Sequence, residues 1–249
     1  VGQFRNDQVL VDLGLRLLEA DEPTLMSRLE HVTQGFDAWV LQPKAAQLRV
    51  LNEVVLDNYP KAWGVHRART YLESRRVTEV MCDFWDLRWH APHNRIMFPV
   101  RDQKGRLVGA VGRAIFDETQ PKYYNFFNFE TGMMLGGIHK ITKQPRVAVV
   151  EGFFDLMNVW WWNQQEKMDT VCTFTSHTSE QHGAQLQRLD ANVVYLYDQD
   201  EAGDKGWTDA RAMLSQVMFG LRRASWSNKS LDVGDMGVIQ YGETLRGIS

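Results

Sequence analysis

The sequence contains only two cysteines, Cys82 and Cys172, far apart and in no Cys-x-x-Cys pair. This excludes a zinc ribbon, so no zinc is expected in this chain, and it fits a reducing, cytoplasmic setting. No stretch approaches the ~18–20 consecutive apolar residues of a membrane-spanning helix, and the N-terminus lacks a signal-peptide pattern, so no membrane partner is expected. There is no internal repeat and no low-complexity segment. The first residue is Val1 rather than methionine, as expected of a piece of a longer protein. What is present is ordinary globular composition over 249 residues, with 44% hydrophobic and 24% charged residues, which excludes disordered and fibrous classes.

The net charge of −3 conceals an asymmetry. From Arg88 to Arg146 ten lysines and arginines stand against four acids (Asp102, Asp117, Glu118 and Glu130), a local +6 that leaves −9 for the rest. A basic segment on an acidic chain points to a local polyanion site, although a solvated charged face gives the same count.

The pattern divides the chain into a helical region over 1–80, a basic subdomain over 81–145, an α/β domain over 146–240 and a tail over 241–249. In the first region, Val9, Leu10, Leu13, Leu17 and Leu18 recur at helical spacing, as do Leu48, Leu51, Val54, Val55 and Tyr59; a third helix is expected from His66 to Ser74. Arg95–Arg101 and Arg106–Arg113, joined by Asp102-Gln103-Lys104-Gly105, read as a β-hairpin. Beyond Asp117 a polar run with Pro121 reads as a loop. From Arg146 on, apolar strands alternate with helices: strands at 147–150, 170–174, 192–197 and 221–225, helices at 153–162, 180–189 and 206–219. That alternation predicts βαβ units around a buried parallel sheet, and an α+β fold for the whole chain.

In such sheets ligands bind beyond the carboxyl ends of the strands. Glu151 follows one strand, and Asp198 and Asp200 follow another. Carboxylates brought together repel, and a hard divalent cation relieves them; Mg²⁺ suits one or two carboxylates per ion, its own waters and substrate phosphates. Asp155, one helical turn past Glu151, and the pair Asp232 and Asp235 are secondary candidates. Taken singly, each acid reads more readily as a structural group such as a helix cap than as a ligand.

The combination is sharper: apolar strand, Glu151-Gly152, helix, then apolar strand, Asp198-x-Asp200-x-x-Gly203, helix. It resembles the Toprim domain of DnaG-type primases, topoisomerases and some nucleases. Arg95-Ile-Met-Phe-Pro-Val-Arg101-Asp, Gly105-Arg-Leu-Val-Gly-Ala-Val-Gly-Arg113 and Pro121-Lys-Tyr-Tyr-Asn125 resemble the basic half of a DnaG-type primase core. Ala68–Arg75 resembles the helix before it, and Leu231-Asp-Val-Gly-Asp-Met236 resembles the acidic motif that closes the Toprim part in phage primases. The resemblance spans roughly 66–240. It departs from the family at Thr175-Ser176-His177-Thr178, where a Gly-Thr pair is usual, and at Thr131, where a lysine is expected.

The resemblance implies a Mg²⁺- or Mn²⁺-dependent nucleotidyltransferase that joins ribonucleoside triphosphates into an RNA primer on a single-stranded DNA template. A replicative helicase would be engaged through regions outside this chain. It implies Glu151, Asp198 and Asp200 as catalytic metal ligands, and Arg95, Arg101, Arg113, Lys122, Tyr123 and Asn125 as nucleic-acid or nucleotide contacts. Two other readings stand beside it: a Toprim nuclease sharing the acidic cluster, and a degenerate Toprim module that binds nucleic acid without chemistry. A type IA topoisomerase is disfavoured, because the chain is too short for a strand gate.

Overall fold

The computed structural model describes residues 48–215, 217–218, 220–228 and 231–247. The helices expected around Val9–Leu18 lie outside the described residues. All described residues belong to one compact unit that runs from Leu41 onward.

Two four-stranded sheets organise it. The first is antiparallel, in the order β1 (Arg88–His90), β2 (Arg95–Arg101), β3 (Leu107–Ala114), β4 (Tyr123–Phe126). The expected hairpin is β2–β3. Its turn is held by Asp102, whose carboxylate accepts from the backbone N–H groups of Lys104 and Arg106, each at 2.9 Å, while Gly105 supplies the positive φ of 79°. The hairpin is apolar on both faces because both are covered. Ile96, Phe98, Val100 and Val111 join the main core, whereas Met97, Leu107 and Ala110 pack with Leu56 and Phe126 in a smaller one. β4 was not legible in the sequence: residues 123–125 are exposed and polar-flanked, and only pairing to β3 makes them a strand. The Leu48–Tyr59 segment, expected as an α-helix, holds only a 3₁₀ stretch, Glu53–Asn58, because Leu51, Leu56 and Tyr59 serve the small core from a short linker.

The helix α1 (His66–Ser74) has the expected bounds, and α2 (Glu79–Phe84) follows with Thr78 as its N-cap. The second sheet is parallel, in the order β6 (Met168–Cys172), β5 (Arg146–Val150), β7 (Asn192–Tyr195), β8 (Leu221–Arg223). α3 (Phe153–Trp162), α4 (Glu180–Arg188) and α5 (Glu201–Leu214) make the crossovers, and α6 (Val238–Arg246) closes the fold. β5 and β7 are neighbours, which is the condition for their terminal acids to meet. α5 begins five residues before the expected Gly206, because Asp200 caps it: its Oδ1 accepts from the Gly203 N–H at 2.8 Å. One core of buried residues from Ala62 to Leu245 runs through both sheets. Among the described residues no helix is long and apolar enough to cross a membrane.

Candidate nucleotidyl-transfer site

The apolar run Val147–Val150 ends where β5 leaves the sheet, and Glu151 is the first residue past it. β7 ends at Tyr195, and Asp198 follows after Leu196 and Tyr197, both buried. The two acids touch directly: the Asp198 backbone N–H donates to Glu151 Oε1 at 3.1 Å. Burial, reinforced by the neighbouring carboxylates, pushes the Glu151 carboxyl up to about 7 and that of Asp198 up to about 8. Asp155, at the start of α3, accepts from the Gly152 N–H at 3.2 Å through Oδ2. Its carboxyl is pushed up to about 6, again by burial first and then by the charge of Asp232.

The other candidate acids sit around this pair. Asp232 is exposed at the start of the Val233–Asp235 turn, which packs against α3 so closely that a side chain at Gly234 would overlap Asp155 Oδ1. The carbonyls of Asp235 and Met236 accept from Arg76, at 2.5 and 2.8 Å, so that turn is anchored to the end of α1. Asp200 caps α5, so the bland reading of that residue is true whatever else it does.

Two features hold Asp198, of which the sequence reading had singled out only the glycine. Arg223, the last residue of β8, donates from Nη2 to the Asp198 carbonyl at 2.9 Å and pairs through Nη1 with Asp204 at 2.7 Å. Gly203 lies against the same carbonyl, where any Cβ would collide with the Asp198 oxygen, and Gly206 lies as closely against the Ser176 carbonyl. The Asp-x-Asp-x-x-Gly spacing was the available signal for Gly203; Arg223 carried none. Behind the cluster, the Tyr197 hydroxyl meets Thr173 Oγ1 and Thr178 Oγ1, each at 2.9 Å. Thr178 thus fills a structural place with its hydroxyl, in the segment where the sequence departs from the family's Gly-Thr pair.

The basic subdomain divides. Tyr123 bridges to the acidic turn: its ring stands edge-on to Phe153 at 6.4 Å, and the Arg113 guanidinium lies over it at 5.0 Å. Arg113 and Tyr123 are paired in register on β3 and β4, so their side chains share the face turned to Glu151-Gly152. Lys122 and Asn125 are exposed along the same edge strand. Arg95 and Arg101 do not join them. Arg95 is buried at 2% exposure, donating to the Pro121 and Lys122 carbonyls, so it ties β2 to the start of β4. Arg101 is bound to Glu53, Asp86 and the Gly105 carbonyl. Their expected role as polyanion contacts is corrected accordingly: a guanidinium spent on internal oxygens has few donors left for phosphate.

Among the described residues no three His, Cys, Asp or Glu side chains form a ready-made metal cage. The donors nevertheless fit a divalent cation of the Mg²⁺ type. They are all carboxylate oxygens, burial and then the neighbouring carboxylates push those of Glu151, Asp155 and Asp198 up in pKa, and such an ion takes one or two carboxylates and completes its shell with water and phosphate. The two cysteines play no part, both being buried with their thiols pushed up.

Comparison with known proteins agrees with this layout. The family described as Toprim-like matches residues 148–236, and the DNA primase catalytic core, N-terminal domain, matches residues 88–131. The two matches support a DnaG-type primase core. Over 143 residues the chain is 34% identical to a DNA primase of Pseudomonas putida, a match covering 54% of this chain and 21% of that relative. The chain therefore aligns with about a fifth of the curated relative's length. The Escherichia coli primase catalytic core superposes with a TM-score of 0.63 at 20% identity, covering 79% of this chain and 77% of that one. A DnaG primase catalytic domain bound to single-stranded DNA superposes with a TM-score of 0.62 at 21% identity, covering 78% and 76%. At these identities the superpositions speak for the fold.

Proposed function

We propose that this chain is the catalytic core of a DNA primase: a DNA-directed RNA polymerase that joins ribonucleoside triphosphates into short RNA primers on single-stranded DNA. The observation that carries the reading is the contact between Glu151 and Asp198 at neighbouring strand ends, with both carboxyls raised toward neutral pH. Glu151 and Asp198 are the first ligands for Mg²⁺ or Mn²⁺, Asp200 is the third, and Asp155, Asp232 and Asp235 complete or orient the set. When bound, such cations lower the pKa of the attacking 3′-hydroxyl and neutralise charge on the α-phosphate and leaving pyrophosphate.

The chain's own residues do the positioning. Arg223 and Gly203 fix the backbone of Asp198, and the Asp198 N–H in turn orients Glu151. Arg113 offers a planar fork to phosphate oxygens and Lys122 a mobile point charge, so together they hold the triphosphate or the template backbone. Tyr123, set between Arg113 and the Glu151-Gly152 turn, gives the nucleotide an apolar edge, and Asn125 offers an amide farther along the strand. In this reading residues 81–145 hold polyanions and 146–240 hold the cations, the helical region 1–80 precedes both, and a helicase binds through regions outside the chain.

The test is incubation with single-stranded DNA, ribonucleotides and Mg²⁺ or Mn²⁺. Short RNA is the expected product. Cut DNA without RNA would instead mean a Toprim nuclease, and bound but unchanged DNA a module without chemistry.

A further inference from the structure

Of the nine large apolar residues that stand exposed among the described residues, four lie around the outer face of α3: Val80 at 60%, Trp161 at 45%, Val238 at 60% and Ile239 at 76%. The contacts of their neighbours place them together. On α3, Trp160 stacks on Phe84 of α2 at 4.1 Å and Trp162 meets Tyr241 of α6 at 5.2 Å, so α2 and α6 flank this helix on its two sides. Trp161 stands between them, one helical turn past Asn158, whose side chain donates to the Arg75 carbonyl at the end of α1. Arg76, the next residue, donates to the Asp235 and Met236 carbonyls and so brings the start of α6 to the turn that leads into α2. Trp161 is thus the floor of an apolar strip, with Val80 on one wall and Val238 and Ile239 on the other.

Each wall sets an acid one helical turn from its apolar residue. On α2, Asp83 is exposed beside Val80, Glu79 is exposed at the helix start, and the helix has no basic residue. On α6, Glu243 is exposed one turn past Ile239, and the one base, Arg246, lies at the far end. The two cations at the near end are engaged within the fold: Arg75 lies over the Phe154 ring at 5.5 Å, and Arg76 is bound to the two carbonyls. Their charges sit at the α1 end rather than along the walls. The strip therefore has an apolar centre between two acidic edges. Single exposed apolar side chains are ordinary, but a cluster rimmed by charge is what interaction sites present.

We propose that this strip is a docking surface for an amphipathic helix of a partner protein, apolar along its centre and basic on both flanks. A helix laid over Trp161 between α2 and α6 offers anchors at i, i+3, i+4 and i+7, the usual pattern of a helix seated in a groove. The nine residues of α6 span about 13 Å at 1.5 Å per residue, so the contact covers between two and three turns of the incoming helix. Lysines or arginines on its flanks meet Glu79 and Asp83 on one side and Glu243 on the other, which steers association and fixes register. The same acids repel nucleic acid and anionic lipid, so neither is the occupant. The surface does not depend on the reaction assigned to the acidic cluster.

The test titrates the whole chain with a synthetic helical peptide of about 18 residues, built of leucine and lysine with the leucines on one face. Binding is read by anisotropy of the labelled peptide and by NMR of the Val80, Val238 and Ile239 methyls and the Trp161 indole. Saturable one-to-one binding should shift those signals. Val80→Lys and Ile239→Lys, both at exposed positions, should each weaken it by about tenfold or more, the effect of losing an apolar anchor. Glu79→Gln combined with Asp83→Asn should weaken it and flatten its salt dependence. Asp198→Asn should bind as the wild type does. The proposal is overturned by equal affinity for a peptide of the same composition in scrambled order, which would mean attraction by charge alone, or by equal affinity in both lysine variants. It is overturned equally if the four signals stay in place, or if they move with protein concentration alone, with single-stranded DNA or with phosphatidylglycerol vesicles, each of which would assign the strip to another occupant.

Discussion

The backbone N–H of Asp198 donates to a carboxylate oxygen of Glu151, 47 positions earlier in the chain, across the boundary between neighbouring parallel strands. One acid is thereby oriented by the peptide of another, and both carboxyls are held where added negative charge is unwelcome. The energetic cost of that crowding, borne by the fold without a cation, underlies the first prediction.

Asp198→Asn removes one charge from the cluster and keeps the side chain's shape. Nucleotide transfer should fall by at least about a hundredfold, as for loss of a group acting in the transition state. The metal-free protein should melt about 2–4 °C higher, corresponding to about 1 kcal/mol for a chain of this size. Primer-synthesis assays and thermal melts on the same preparation check both; a variant that melts lower and still transfers nucleotides would contradict the assignment.

Gly203→Ala should destabilise the fold by about 1–3 kcal/mol, because the new methyl group overlaps the Asp198 carbonyl and comes within 3.0 Å of Glu151 Oε1. Denaturant unfolding reads the loss. The same variant should transfer nucleotides poorly even where it remains folded, because the displaced backbone belongs to Asp198.

His182 supplies a pH dependence away from the cluster. It is fully buried, its Nε2 donating to the Thr131 carbonyl at 2.9 Å and its Nδ1 accepting from the Ser179 N–H at 3.4 Å. Burial holds its pKa down at about 4, against about 6.5 when unfolded. The unfolded chain therefore binds the extra proton first. Stability from this residue is complete above about pH 6.5 and is lost as pH falls toward 4, by roughly 3 kcal/mol in all. His182→Gln should flatten the difference in unfolding free energy between pH 7 and pH 5; a slope equal to that of the wild type would remove His182 as its source.

Arg113→Ala and Lys122→Ala should each weaken binding of single-stranded DNA and lower the log–log salt slope by about 0.7. Arg95→Ala should act differently, costing stability through the lost bonds to Pro121 and Lys122. Fluorescence anisotropy across a salt series separates the two kinds of arginine; unchanged slopes in both Arg113→Ala and Lys122→Ala would return the edge strand to a solvated charged face.

That separation also marks how far the sequence could be read. The α/β alternation after Arg146 and the hairpin at Arg95–Ala114 were legible because buried parallel strands and a two-sided hairpin leave continuous apolar runs. Glu151, Asp198 and Asp200 were legible because they follow such runs directly. Arg95 and Arg101 were misread for a physical reason: charge counts are blind to burial, and an arginine bonded to carbonyls looks the same in sequence as one awaiting phosphate. Arg223 was invisible, since its function is to hold the Asp198 backbone and backbone acceptors have no residue code. β4 was missed because an edge strand of exposed residues has no apolar alternation of its own.

The central claim is that Glu151 and Asp198 together hold a divalent cation, and Mn²⁺ titration followed by the electron paramagnetic resonance of the free ion tests it most directly. Wild-type protein should deplete the free-ion signal, while Glu151→Gln and Asp198→Asn should bind about tenfold or more weakly with melting temperatures at or above the wild-type value. Equal Mn²⁺ binding by the wild type and both variants would contradict the account.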